Sequence, residues 1–322
     1  MHFFLVFIFA VFTNTTFGQY LPENGEYHYL KTVDGFNLYV LEVGNKNAEN
    51  TFIVLHGGFG AEHSYLLNAI LPHTDEHRFI LFDQRGSLRS LAPDSLINFE
   101  SFVRDIELIR TEFELSKINI LAHSNGTTIA LDYLYHHEDK INKLILIACP
   151  LSIIHGDYFP DLDDPISIYR KEKALWDKSV NKKIEDSKQL YKLTENDTLT
   201  GIQSTLIQKI MYSAHHTYLM TEIEKTQNAF FNSSVFDALQ QNESRASWAE
   251  RTNNMSNALV NSTIPIYLIN GEFDFVDPKG HVWKAIDEQL KHLRYTLIKD
   301  AGHNIWSDQP NEFSKILERV LN

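Results

Sequence analysis

The chain has 322 residues, 43% hydrophobic and 22% charged, with a formal net charge of −13. That balance is globular and long enough for one large α/β domain or a core with an insertion. The negative charge argues against nucleic acid and anionic membrane surfaces as partners. Cys149, the single cysteine, excludes an intramolecular disulfide and a Cys-x-x-Cys metal site. It follows an apolar run, where a buried thiol is expected.

Residues 3–12 (FFLVFIFAVF) are continuously apolar, and 13–18 turn small and polar. Such a segment is too short to span a bilayer. It reads as a secretory signal peptide, residues 1–18, cleaved after Gly18 to leave Gln19 first and an exported mature chain with no stable membrane span. Asn-x-Ser/Thr triplets stand at Asn196, Asn232, Asn242, Asn254 and Asn261; they matter only in a host that glycosylates.

Residues 27–33 and 36–43 read as strands joined at Asp34-Gly35, a hairpin signal. A third strand, 51–55, runs into His56-Gly57-Gly58-Phe59-Gly60, and a fourth, 78–82, into Asp83-Gln84-Arg85-Gly86. Phe102, Val103, Ile106, Ile109 and Phe113 fall at helical spacing within 99–115. The apolar run 118–123 stops at Ser124, and a helix is expected from Asn125 to about residue 137, followed by the buried run 144–148. This alternation predicts a mostly parallel central sheet with helices on both faces. Ligands bind such sheets at the carboxyl ends of the strands.

After Pro150 the alternation stops. Residues 151–262 hold helical stretches at 168–178, 202–212 and 218–231, and read as an inserted helical cap. The core, 19–150, resumes over 263–322 with a strand at 264–269, a helix over about 280–293, a strand at 295–298 and a last helix over 311–321.

Polar clusters end the last two strands: Asn270-Gly271-Glu272-Phe273-Asp274 with Asp277 beyond, and Asp300-Ala301-Gly302-His303-Asn304. A serine hydroxyl is a poor nucleophile unless a base lies within hydrogen-bond reach and a third group orients that base. Ser124 is the expected nucleophile, His303 the base, and Asp274 or Asp277 the acid. Backbone N–H groups of Asn125 and Gly58 are the expected oxyanion donors. His56 reads as ordering its own loop, and Asp83 and Arg85 as tying the sheet edge by ion pairing. No metal or organic cofactor is called for.

His56-Gly57-Gly58-Phe59-Gly60, Asp83-Gln84-Arg85-Gly86 and the elbow Ala122-His123-Ser124-Asn125-Gly126 together resemble the α/β-hydrolase superfamily, in the manner of proline iminopeptidases. The resemblance covers 27–150 and 264–322 and implies an α/β-hydrolase fold, a helical cap, and a triad of Ser124, Asp274 and His303. Phe59 stands where that family has proline, Ala122 where the elbow has glycine, and Asn125 where it usually has tryptophan. The family holds its substrate's free amine with acidic cap residues; here Glu222, Glu224, Glu243 and Glu250 are available, with a solvated face as the alternative reading for each. The implied substrate is a short peptide with a free amino terminus. A carboxylesterase or lactonase acting on small esters, and a non-catalytic binding module on the same fold, are the alternatives.

Overall fold

The computed structural model describes residue 22 and residues 24–193, 201–219 and 231–322. The apolar segment 3–12, the cleavage site after Gly18, Asn196, Glu222 and Glu224 lie outside the described residues, as does most of the helix expected at 218–231.

Eight strands form one sheet in the order β1-β2-β4-β3-β5-β6-β7-β8. They are β1 Glu26–Lys31, β2 Asn37–Gly44, β3 Thr51–Leu55, β4 Arg78–Phe82, β5 Ile118–His123, β6 Ile141–Ile147, β7 Ile266–Gly271 and β8 Leu293–Ile298. β2 is antiparallel to both of its neighbours, β1 and β4, and β3 to β8 are parallel. Side chains alternate across the pleat. On β4, Phe79 and Leu81 join the core of one face, and Ile80 and Phe82 that of the other.

The helices are α1 Leu67–Ile70, α2 Phe99–Glu112, α3 Asn125–His137, α4 Asp163–Leu190, α5 Gly201–His216, α6 Ser234–Asn242, α7 Arg245–Asn261, α8 His281–Gln289, α9 Ile305–Asp308 and α10 Pro310–Leu321. Phe102 and Ile106 of α2, Ile129 and Tyr133 of α3 and Trp283 of α8 pack on one face of the sheet. Leu67 and Ile70 of α1 and Phe313 and Leu317 of α10 cover the other. Burying each such side chain is worth roughly 1.5–3 kcal/mol. Helices α4 to α7 all lie between β6 and β7, where the cap was expected. Val180, Ile184, Ile210 and Ala214 form a small core of their own between α4 and α5. Among the described residues, no helix is long and apolar enough to cross a membrane.

Candidate active site

Parallel pairing of β3, β5, β7 and β8 brings the turns after these strands to one edge of the sheet. At the end of β5 the backbone turns sharply through Ser124, at φ 53° and ψ −128°, and α3 begins at the next residue. A non-glycine residue held there stores roughly 1–3 kcal/mol of strain. The turn is held by Ser124 N–H donating to Ile147 O at 2.8 Å, and by Thr127 donating to Ser124 O from both its N–H (2.8 Å) and its hydroxyl (2.6 Å). Two residues on, a Cβ at Gly126 would lie 2.6 Å from His56 O and 2.7 Å from Leu55 O, so only glycine lets α3 pass β3 this closely. On the other side of the serine the extra methyl of Ala122 is fully buried in β5. The elbow forms with alanine there.

The turns after β7 and β8 deliver Asp274 and His303. His303 Nε2 is 2.8 Å from Ser124 Oγ, and His303 Nδ1 is 2.8 Å from Asp274 Oδ1. With the proton on Nδ1 donated to the carboxylate, Nε2 is left to accept from the serine hydroxyl. Asp274 is fully buried and His303 nearly so. Asp274 Oδ1 also accepts from Val276 N–H at 3.1 Å, while Oδ2 has no hydrogen-bond partner among the described residues. Burial disfavours charge on both groups: it pushes the Asp274 carboxyl up to about 7 and the His303 imidazole down to about 3. Asp277, the other acid considered, accepts from Val282 N–H at 3.1 Å and Trp283 N–H at 2.9 Å. It caps the start of α8 and is occupied there. Asp274 is the acid that meets His303.

Ser124, Asn125, Gly58 and His303 share the lining of a 410 Å³ cavity. Asn125 opens α3, and an N–H in the first turn of a helix has no intrahelical acceptor. Gly58 sits at φ 64°, in the left-handed region. The glycine-rich turn is braced from two sides. His56, fully buried, accepts from Gln84 N–H at 3.0 Å through Nε2, and Gln84 Nε2 donates to His56 O at 2.7 Å. His56 thus orders its loop, as expected.

The second brace was not foreseen. Gly57 N–H donates to Tyr65 Oη at 2.6 Å, Tyr65 Oη is 2.8 Å from His123 Nδ1, and His123 Nε2 is 3.2 Å from His303 O. One proton arrangement satisfies all three contacts: Tyr65 donates to Nδ1 and His123 donates from Nε2 to the carbonyl. His123 is therefore a neutral imidazole, and burial holds it well below the ordinary histidine range. It ties the glycine-rich turn to the backbone of His303. The only sequence sign was its place beside Ser124; Tyr65, 58 residues away, gave none.

Asp83 and Arg85 are both ion-paired, with other partners than each other. Asp83 takes His63 Nδ1 at 2.6 Å and Arg89 Nη1 at 3.1 Å. Arg85 takes Asp105 with two donors, at 2.6 and 2.8 Å, and Asp34 at 2.5 Å. Of the acidic cap residues, Glu250 is exposed. Glu243 accepts from Phe99 N–H at 3.2 Å and Ser247 Oγ at 2.5 Å, and lies 3.5 Å from Arg251 Nη2. Three groups among the described residues place His and carboxylate donors within 4.8 Å of one another, Glu26–His28–Glu42, Glu62–His63–Asp83 and Glu76–His77–Glu318. None of these residues lines the cavity at Ser124.

The model of the α/β-hydrolase fold family matches residues 50–310. The chain belongs to this family. Among curated proteins, the α/β hydrolase resembles the proline iminopeptidase of Lactobacillus helveticus, 32% identical over 117 residues, 35% of this chain and 40% of that protein. It thus spans less than half the length of the curated relatives it matches first. Among solved structures it is similar to a proline iminopeptidase-related protein from Thermus thermophilus, with a TM-score of 0.62, 20% identity, and coverage of 92% of this chain and 97% of that one. An esterase from Exiguobacterium antarcticum gives a TM-score of 0.61 at 20% identity, covering 91% of this chain and 98% of the other. At these identities the two structures speak for the fold of the hydrolase.

Proposed function

We propose that the protein is a serine hydrolase that works through an acyl-enzyme. Ser124 Oγ attacks the substrate's carbonyl carbon as its proton passes to His303 Nε2, and Asp274 holds the imidazole in the required tautomer. The N–H groups of Asn125 and Gly58 donate to the oxyanion of the tetrahedral intermediate. His303 returns the proton to the leaving group as the acyl bond breaks. A water then repeats the sequence on the acyl-enzyme, with His303 again as base. The single observation that carries this reading is the pair of 2.8 Å contacts joining Ser124, His303 and Asp274 at the wall of a cavity.

The relatives' names support two substrate classes, short peptides with a free amino terminus and small esters. The ester reading gains from Glu243, whose carboxylate already accepts from Phe99 N–H and Ser247 Oγ and lies 3.5 Å from Arg251, so that a substrate ammonium would compete with these partners. The helical segment 151–262 would then serve as the cap over the site, and removal of residues 1–18 would place the enzyme outside the cytoplasm. A paired assay of proline p-nitroanilide and p-nitrophenyl acetate tests the choice. Ester turnover without anilide cleavage supports the ester reading, and anilide cleavage restores the aminopeptidase. Binding without turnover of either would support the non-catalytic alternative.

A further inference from the structure

A second cavity, of 580 Å³, lies against the first. Asn125 lines both, whereas His303 lines only the cavity at Ser124. This asymmetry has a chemical meaning. His303 must hand its proton to the leaving group, so the leaving group lies on the His303 side of the carbonyl. A chamber reached past Asn125, away from His303, lies on the acyl side.

Its walls describe what it would hold. Phe59, Phe99, Leu239 and Trp248 line it, with Phe99 stacked edge-on against Phe59 (5.6 Å between centroids) and tilted against Trp248 (5.3 Å). Two charged side chains also line it, Glu243 and Arg245. Glu243 accepts two hydrogen bonds and lies 3.5 Å from Arg251, which also pairs with buried Asp132 at 2.5 Å. Arg245 has no hydrogen-bond or ion-pair partner among the described residues, and the first turn of its helix α7 carries no acidic residue. Arg245 is exposed, so of the two charged side chains in the lining it is the one open to an anion entering from solvent. A cavity of this size is within the usual range for small-molecule sites, and Thr128, Ser152, Gln240 and Ser244 add polar groups beside its aromatic wall.

We propose that this cavity is the acyl pocket and that it takes an acyl chain apolar along its length and ending in a carboxylate, which pairs with Arg245. The substrate class is thus a monoester, or monoamide, of a medium-length dicarboxylic acid. The assignment of an acyl side rests on the serine-hydrolase reading; the anion preference of the pocket does not.

The experiment has a binding arm and a turnover arm. In the binding arm, calorimetry on the Ser124→Ala protein compares monomethyl suberate, an anion at neutral pH, with dimethyl suberate, its neutral match. Monomethyl suberate should bind about tenfold more tightly, the size of one charge-assisted contact. Arg245→Gln should remove that difference, and Arg245→Lys should restore part of it. Equal binding of the two esters, or a difference that survives Arg245→Gln, overturns the proposal. In the turnover arm, the wild-type kcat/KM for mono-p-nitrophenyl suberate should exceed that for p-nitrophenyl octanoate, and Arg245→Gln should abolish the preference; a preference for the octanoate overturns it. If proline p-nitroanilide, p-nitrophenyl acetate and both longer esters are all left intact, the serine-hydrolase reading fails, while the binding arm still decides the pocket.

Discussion

Arg85 gives the sharpest test of how the site's scaffold is held. Its side chain is fully buried, its partner Asp105 is 1% exposed, and Asp34 is 17% exposed. The guanidinium donates twice to Asp105 and once to Asp34, and its carbon lies 4.6 Å from the centroid of the Phe36 ring. Arg85→Met keeps much of the volume but leaves the Asp105 carboxylate buried and uncompensated. Breaking a buried pair from one side costs roughly 3–5 kcal/mol, against a typical total of about 5–15 kcal/mol. Each kcal/mol moves the midpoint of a domain of 150–250 residues by roughly 2–4 °C, so thermal unfolding should fall by about 10 °C. The double variant Arg85→Met/Asp105→Leu removes the orphaned charge as well, and should recover most of the loss, because replacing a buried pair by apolar groups is often neutral. Asp34, at the surface end, can take water. Thermal and urea unfolding followed by circular dichroism read both steps. A single variant that loses under about 1 kcal/mol, or a double variant no better than the single, would refute the reasoning.

The remaining predictions concern the site. Asp274 and His303 titrate as one unit, and burial keeps charge off the imidazole while raising the carboxyl to about 7. The working form is carboxylate with neutral imidazole, so kcat/KM should fall as pH drops, with its midpoint close to 7; a profile flat down to pH 5 would contradict this. The two acids should separate cleanly. Asp274→Asn should cost about 10⁴-fold in kcat through the wrong imidazole tautomer with little loss of stability. Asp277→Ala should lower stability by about 1 kcal/mol as a lost helix cap and leave the triad geometry in place; unfolding and ester turnover on both variants decide it.

How much of this was legible in the chain depended on distance along it. β3, β4 and α3 begin where the sequence predicts, because each is an uninterrupted apolar or helical run bounded by a sharp signal. That Ser124, Asp274 and His303 could meet was legible because each follows its own strand, and parallel pairing gathers strand ends on one edge. Other boundaries shifted for local reasons. β6 starts at Ile141, three residues before the expected run, because half-exposed Lys143 and exposed Asn142 interrupt its apolar pattern. α4 extends to 28 residues although only Val180 and Ile184 are buried, so most of its length leaves no apolar periodicity to read. The braces were least legible. Tyr65–His123, Gln84–His56 and Arg85–Asp105 join residues 58, 28 and 20 positions apart, and no local pattern announces a pairing at that range.

The central claim is that Ser124 is the nucleophile, poised by His303 at 2.8 Å. Fluorophosphonate labelling of the wild-type protein and of Ser124→Ala, with circular dichroism to show that both are folded, tests it most directly. The account predicts stoichiometric labelling of the wild type, mapped to Ser124, and none in the folded variant. Labelling that persists in Ser124→Ala would contradict it.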